Sequence, residues 1–265
     1  MRKIECIIMD WAGTSVDYGC FAPVAAFKES FEEIGLVVRV EDIRAHMGLT
    51  KIEEIRALFN IPSVLEAFKE KYGRTPCEAD VDSRYASFQK VLFATLEKYS
   101  EPIPEVVETV RKLHSQGLKF GSTTGYTDKM MEVVIPAAAA RGYVIDNCVT
   151  SDGLPGGRPA PYMIYRNMCD LAVPSRFSVL KYGDTIADIR EGVNAGVWTV
   201  GVVLGSNEMA LTQEETAAMP EAELHKRMSQ VRNRMYAAGA HYVVDSMAEL
   251  PALVESINIR MENNI

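Results

Sequence analysis

The chain has 265 residues, enough for one large domain or two modest ones, with a hydrophobic fraction of 48% and a charged fraction of 24%, typical of a globular protein. The net charge of −8 argues against non-specific binding to nucleic acid or to an anionic membrane, and it leaves room for a local basic pocket for a small anion. No apolar run is long enough to span a bilayer, MRKIEC is untypical of a signal peptide, and five cysteines without a C-x-x-C pair favour a reducing, cytoplasmic setting.

The first elements are a predicted strand at residues 4–9 and a long helical segment at residues 22–100. Apolar residues recur at helical spacing in that segment, and residues 37–40 are its one short strand candidate. After the sequence EPIP at 101–104, strands are predicted at 117–121, 143–149, 178–182, 198–203 and 242–244. Helices are predicted at 105–116, 128–141, 162–169, 186–195 and 221–238. Pro136 is expected to kink or end its helix, and Thr212 with Glu215 predicts another helix start.

Alternating strands and helices predict an α/β fold with a doubly wound parallel sheet. We therefore expect a Rossmann-like core formed by residues 1–20 and 100–265. A helical cap, residues 21–99, is inserted after the first strand. Ligands bind at the carboxyl ends of the strands in such sheets.

Functional side chains follow several predicted strands, at the points where those strands end. Asp10 follows the first strand, Thr124 the second, and Asp184 and Asp188 a later one, while Arg158 lies in the loop SDGLPGGRPAP. The acids can hold Mg²⁺, a cation that takes oxygen ligands. Thr124 and Arg158 can bind phosphoryl oxygens. The pattern indicates attack on a phosphoryl group by a carboxylate.

Each of these residues also has a structural interpretation. An Asp after a strand is often a helix N-cap, and Asp188 can be a first-turn acid that the helix dipole favours. Residues 122–125 can form a turn, and Arg158 can be a surface cation. Four such features in this order, each after a predicted strand, favour a functional site.

The sequence DWAGT, the strand end at Thr124, Arg158 and GDTIAD resemble the four motifs of the haloacid dehalogenase (HAD) superfamily, and the helical insert resembles its cap. More narrowly, DWAGTSVDYGCFAP, MGLTK, GSTTGY, GRPAP and GDT with GVWTVGV resemble the phosphonoacetaldehyde hydrolase family. That family cleaves phosphonoacetaldehyde, a small phosphonate, to acetaldehyde and phosphate. The likeness spans nearly the whole chain.

The resemblance implies roles for individual residues. Asp10 would be the nucleophile, and Mg²⁺ would be held by Asp10, Asp184 and the carbonyl of Ala12, with Asp188 orienting the metal site. Thr124 and Arg158 would hold phosphoryl oxygens. The remaining substrate-binding positions would be Cys20, Met47, Gly48 and Tyr126. The resemblance also implies a homodimer formed through the cap.

Ala12 stands where most HAD phosphatases have an acid that protonates a leaving alkoxide. A leaving carbon gains little from such an acid and needs an electron sink, which an imine between a lysine and the substrate aldehyde provides. Lys51 is the candidate: Thr50-x-x-Glu53 predicts that it is the first residue of a helix, where the dipole favours a neutral amine, and the resemblance supports it because Met47-Gly48 match the family's substrate loop. The alternative is a solvated surface lysine.

Glu54 departs from the family pattern, which commonly has a histidine three residues after the imine lysine. Glu54 can serve as a general base. It can instead be a first-turn acid that pairs with Lys51 and favours the ammonium form. The sequence leaves this proton-transfer step open.

Three other functions are compatible with the sequence. A haloacid dehalogenase also lacks the second acid, but it attacks carbon and needs no metal, so it would not require Asp184 and Asp188. A phosphatase-like hydrolase is a second alternative. A non-catalytic HAD-fold protein that binds a phosphorylated or phosphonate metabolite is the third, and the presence of both Asp10 and Lys51 argues against it.

Overall fold

The computed structural model describes residues 3–263. Within that range a single sheet contains six parallel strands, in the order β3-β2-β1-β4-β5-β6. They are β1 (Cys6–Met9), β2 (Lys119–Thr123), β3 (Asn147–Val149), β4 (Val179–Gly183), β5 (Trp198–Val202) and β6 (Tyr242–Val244). This is the strand order of a Rossmann-like sheet, and it confirms the predicted doubly wound α/β fold.

Helices cover both faces of the sheet. Outside the insert that follows β1, the helices are α6 (Val106–Ser115), α7 (Asp128–Ala140), α8 (Tyr162–Asp170), α9 (Ile186–Ala195), α10 (Gln213–Ala218), α11 (Glu221–Ala237) and α12 (Leu250–Glu262). Successive residues of β1 point to opposite faces, so that Ile7 and Met9 pack with α6, α7 and α12, whereas Cys6 and Ile8 pack with α8. Both faces of β1 are therefore buried, which explains its continuous apolar sequence.

Five helices lie between β1 and α6, which confirms the helical insert after the first strand. They are α1 (Phe21–Glu32), α2 (Val40–Ala45), α3 (Lys51–Phe59), α4 (Pro62–Tyr72) and α5 (Glu78–Phe93). Aromatic side chains hold them together: Phe27 stacks on Phe88 with ring centroids 4.2 Å apart, and Phe59 contacts both Phe31 and Phe68. We call these helices the cap and the rest of the chain the core; the boundaries of residues 21–99 stay a prediction.

One expectation about local structure was wrong, and a second was wrong in part. Residues 37–39 form no strand and Val40 begins α2; within the described chain they have no neighbouring strand to pair with, and Val37 is 76% exposed. Pro136 does not end α7, which continues to Ala140. Pro136 and Glu132 are both exposed, so water can bond the Glu132 carbonyl that proline leaves without its helical donor.

The predicted helix start at Thr212 was confirmed, the strand predicted at 143–149 covers only 147–149, and one helix was missed. Thr212 caps α10, where its hydroxyl accepts from the backbone N–H of Glu215 at 3.1 Å. Helix α12 follows the last strand and was not predicted. Across residues 3–263, the structure contains no helix with the length and apolar character needed to cross a membrane.

Candidate active site

Three buried acids meet at the carboxyl edge of the sheet. Asp10 directly follows β1, and Asp184 directly follows the neighbouring strand β4, while Asp188 lies in the first turn of α9. The strand order reverses between β1 and β4, which are neighbours in the sheet but not along the chain. The two acids therefore flank the topological switch point, where such sheets bind ligands. One carboxylate oxygen from each acid lies within 4.8 Å of those of the other two.

Hydrogen bonds hold two of these acids in place. Asp184 accepts from the hydroxyl of Thr14 at 2.6 Å and from the backbone N–H of Asn207 at 2.8 Å. Asp188 accepts from the backbone N–H of Thr185 at 3.1 Å, as the N3 residue of a capping box. Gly13, with φ 86°, passes so close to Asp184 that a β-carbon there would lie 2.3 Å from a carboxylate oxygen. The motif therefore requires glycine at that position.

The electrostatics of the acids fit a bound cation. Burial raises the pKa of Asp184 well above its usual value, and repulsion from Asp10 and Asp188 raises it further. Oxygen-only donors on three close carboxylates match the preference of Mg²⁺. A divalent cation here would offset the repulsion among the three carboxylates, with Asp10 and Asp184 placed to hold it and Asp188 placed to orient the site.

Arg158 is buried beside the acids, so the alternative that it is a surface cation is wrong. Its Nη2 donates to Asp10 Oδ1 at 2.7 Å and to the carbonyl of Thr123 at 2.6 Å. Its Nε donates to Glu191 Oε2 at 3.1 Å. Its Nη1 lies 3.0 Å from Asp188 Oδ1, close enough for an ion pair but without hydrogen-bond geometry. The guanidinium is thus held directly against the predicted nucleophile.

Two residues of this cluster escaped the sequence analysis. Lys181 on β4 is fully buried, and its Nζ lies 2.7 Å from Thr123 Oγ1, 2.8 Å from Asp188 Oδ1 and 3.1 Å from Glu191 Oε2. A lysine inside the buried strand VLKYG was a signal of a polar network. Glu191 lies three residues after Asp188, on the same face of α9.

The cap contributes Lys51 from above the acids. Lys51 is the first residue of α3, as predicted, and Thr50 caps that helix together with Glu53. The Lys51 side chain is only 4% exposed, and its Nζ lies 5.5 Å from the ring centroids of both Phe27 and Tyr126. The structure therefore rules out the alternative of a solvated surface lysine.

Glu54 contacts Lys51 directly. Its Oε1 accepts from Lys51 Nζ at 3.0 Å and from the backbone N–H of Gly48 at 3.1 Å. Its Oε2 is buried without a hydrogen-bond partner among the described residues. Burial raises the pKa of Glu54 to about 7, although Lys51 acts in the opposite direction. The Glu54 carboxyl therefore changes charge near neutral pH, within hydrogen-bond distance of the Lys51 amine.

One small cavity of about 20 Å³ joins the cap and core halves of the site. Its lining is Asp10, Ala12, Cys20, Pro23, Met47, Gly48, Lys51, Thr124, Gly125, Tyr126, Arg158 and Thr185. The structure thus brings the predicted substrate-binding residues together around the predicted nucleophile and lysine. Burial raises the pKa of the Cys20 thiol and of the Tyr126 phenol well above their usual values, so both are neutral.

The loop between α2 and α3, residues 46–50, packs tightly against the core. A β-carbon on Gly125 would lie 2.3 Å from the carbonyl oxygen of Leu49, and one on Gly48 would lie 2.6 Å from Thr185 Oγ1. A cavity needs roughly 10–15 Å³ to hold one water molecule. The present cavity is therefore close to the size of a single water, and a larger ligand requires the loop to move.

Comparisons with known proteins identify the family of the chain. A family model for haloacid dehalogenase-like hydrolases matches residues 4–196. Phosphonoacetaldehyde hydrolase from Bacteroides fragilis (strain YCH46) is 58% identical over 99% of this chain and 100% of its own length, and that from Parabacteroides distasonis is 56% identical over 98% and 99%. The crystal structure of a phosphonoacetaldehyde hydrolase-like protein from Oleispira antarctica superposes with a TM-score of 0.96 at 34% identity, over 99% of this chain and 95% of that one. The chain therefore belongs to the haloacid dehalogenase-like hydrolases and, within them, to the phosphonoacetaldehyde hydrolase family.

Proposed function

We propose that this protein hydrolyses the C–P bond of phosphonoacetaldehyde to give acetaldehyde and phosphate. The observation that carries the proposal is the buried amine of Lys51, which lines the same cavity as the Asp10 carboxylate. Ala12, where a phosphatase would have its acid, lines that cavity as well. An amine and a carboxylate in one small cavity suit a substrate with an aldehyde at one end and a phosphoryl group at the other.

The first step is imine formation on Lys51. A nucleophilic amine must be neutral, and the Glu54 carboxylate, 3.0 Å away, is placed to take its proton. The free amine then attacks the aldehyde carbon, and the carbinolamine loses water to give a protonated imine. A Glu54 pKa of about 7 suits this exchange, because the ideal general base titrates near the working pH.

The second step is C–P cleavage. Asp10 attacks phosphorus, and the electron pair of the C–P bond moves toward the imine nitrogen, leaving an enamine on Lys51. Arg158 and Thr124 hold the phosphoryl oxygens in this proposal, with Arg158 already 2.7 Å from Asp10. Mg²⁺, when bound by Asp10, Asp184 and the Ala12 carbonyl with Asp188 orienting the site, would offset charge on the phosphoryl group.

Two hydrolyses complete the reaction. Water cleaves the aspartyl phosphate and restores the Asp10 carboxylate. The enamine is protonated on carbon, for which protonated Glu54 is the nearest acid to Lys51, and water then releases acetaldehyde. One water is lost in imine formation and two are consumed later, so the net reaction uses one water.

The structure disfavours the alternative functions. A dehalogenase needs no cation, yet Asp184 and Asp188 are fully buried next to Asp10. A phosphatase would need an acid where Ala12 stands. A protein that only binds a metabolite would have no use for a buried Lys51 beside a general base.

Assembly and location are further proposals that rest on the family resemblance. We propose a homodimer formed through the cap, in a cytoplasmic setting. Three large apolar residues on cap helices are exposed in the single chain, namely Val40, Tyr72 and Phe93.

Sedimentation analysis of the purified chain would give the mass of a dimer, and a mass of one chain at all concentrations would contradict the proposal.

The function is tested by phosphate release from phosphonoacetaldehyde, with Mg²⁺ and after treatment with a chelator. We expect turnover with Mg²⁺ and a loss of roughly 10²-fold or more without it, because the metal offsets charge in the transition state. Re-addition of Mg²⁺ should restore the rate. Haloacids and phosphate monoesters serve as control substrates. Metal-independent halide release, or a preference for monoesters, would refute the assignment.

The role of Glu54 is tested by the pH dependence of turnover. The reactive form needs the Glu54 carboxylate to take the proton of Lys51, so wild-type turnover should rise as the pH increases through about 7. Glu54→Gln should reduce turnover at neutral pH by about 10²-fold and abolish the rise of turnover with pH. Glu54→His should recover part of the loss, and Glu66→Gln, at an exposed acid on α4, is the control. Wild-type turnover and profile in Glu54→Gln would show that Glu54 is only a helix-end acid.

A further inference from the structure

One cap arginine reaches into the core beside the metal-site acids. Arg44 lies in the last turn of α2, and its side chain is largely buried. Its Nη1 donates to the carbonyl of Gly19 at 2.8 Å and to Asn207 Oδ1 at 3.0 Å. In return, Nδ2 of Asn207 donates to the Arg44 carbonyl at 3.1 Å. The guanidinium also lies 5.0 Å from the ring centroid of Phe21.

The partner of Arg44 is itself bonded to a metal-site acid. Asn207 is buried in the loop that follows β5, and its backbone N–H donates to Asp184 Oδ2 at 2.8 Å. Thr14 donates to the other oxygen of Asp184 at 2.6 Å. A continuous chain of hydrogen bonds therefore runs from α2 of the cap through Arg44 and Asn207 to Asp184.

The same cap segment also carries the amine of the site. Only six residues separate Arg44 from Lys51, and Gly48 between them packs against Thr185 of the core. The cavity of about 20 Å³ is too small for a phosphonate, so this segment must move for the substrate to enter. A movement that withdraws Lys51 also strains or breaks the bonds between Arg44 and Asn207.

We propose that Arg44 and Asn207 form a latch that positions Asp184 only when the cap is closed. The latch gives the site its full cation affinity when Lys51 is seated above Asp10, so cation binding and cap closure favour each other. Arg44 and Asn207 are positioning residues, because they act through Asp184. The inference rests on the proposed metal site, and it does not depend on which bond the protein cleaves.

The charge of Arg44 gives the latch a sharp test. Arg44 is a cation near Asp184, so simple electrostatics predicts that its removal strengthens binding of Mg²⁺. The latch predicts the opposite, because Asn207 loses the contact that holds it against Asp184. The sign of the change in affinity therefore separates the two effects.

The experiment is a calorimetric titration of the full chain with Mg²⁺ in the absence of substrate. We expect Arg44→Gln and Asn207→Ala each to weaken binding by about fivefold or more, and the double variant to be no weaker than the weaker single variant. Arg39→Gln is the matched control, since Arg39 is an exposed arginine at the start of α2 that pairs with Asp42. If Arg44→Gln fails to fold, Arg44→Met replaces it, since it also removes both the charge and the hydrogen bond to Asn207.

Several results would overturn the latch. They are unchanged or tighter Mg²⁺ binding in the folded Arg44 variant, additive losses in the double variant, or an equal loss in Arg39→Gln. Failure of the wild-type chain to bind Mg²⁺ would remove the metal site and the latch together. Normal Mg²⁺ binding without phosphate release would instead contradict the proposed reaction and leave the latch standing.

Discussion

The structure depends on the burial of several like charges at the ends of two adjacent parallel strands. The cluster contains four carboxylates and two cations: Asp10, Asp184, Asp188, Glu191, Arg158 and Lys181. When all six groups are ionised, the cluster carries a net charge of −2, which one Mg²⁺ would neutralise. Burial makes an uncompensated negative charge costly, so the arrangement favours a bound cation, and that cation together with Arg158 can offset the charge of a phosphoryl group. Arg158 and Lys181 fix the acids in place without removing that net charge.

The cap meets a different chemical requirement. In the proposed reaction the core holds a phosphoryl group and attacks it through Asp10, but Ala12, which lines the same cavity, offers no proton to a leaving group. Lys51 also lines the cavity, at the start of a cap helix and beside Glu54. In the proposed reaction the cap thus supplies the electron sink that the core lacks, and cleavage requires both halves together. The latch between Arg44 and Asn207 would couple the two halves at the metal site.

The sequence predicted the parts of the site that depend on local order along the chain. Asp10 and Asp184 were predicted because each directly follows an apolar strand, and Lys51 because of the family resemblance, with the capping box predicting only where its helix begins. The contacts of Lys181 and Arg44 could not be predicted, since they join residues far apart in sequence through the packing of strands and loops. The burial of Glu54, which raises its pKa to about 7, likewise depends on how the cap closes on the core. Local sequence patterns predict which residues belong to the candidate site, whereas tertiary packing determines their protonation states.

The most direct test of the account is borohydride trapping followed by mass spectrometry of the Lys51 peptide. Asp10→Asn keeps the amine and removes the nucleophile, so the account predicts a reduced adduct on Lys51 that still contains phosphorus. Wild-type protein under the same conditions should carry a two-carbon adduct on Lys51 without phosphorus, because cleavage follows imine formation. An adduct on another lysine, or none, would contradict the imine. Loss of phosphorus from the Asp10→Asn adduct would contradict the assignment of Asp10 as the group that attacks it.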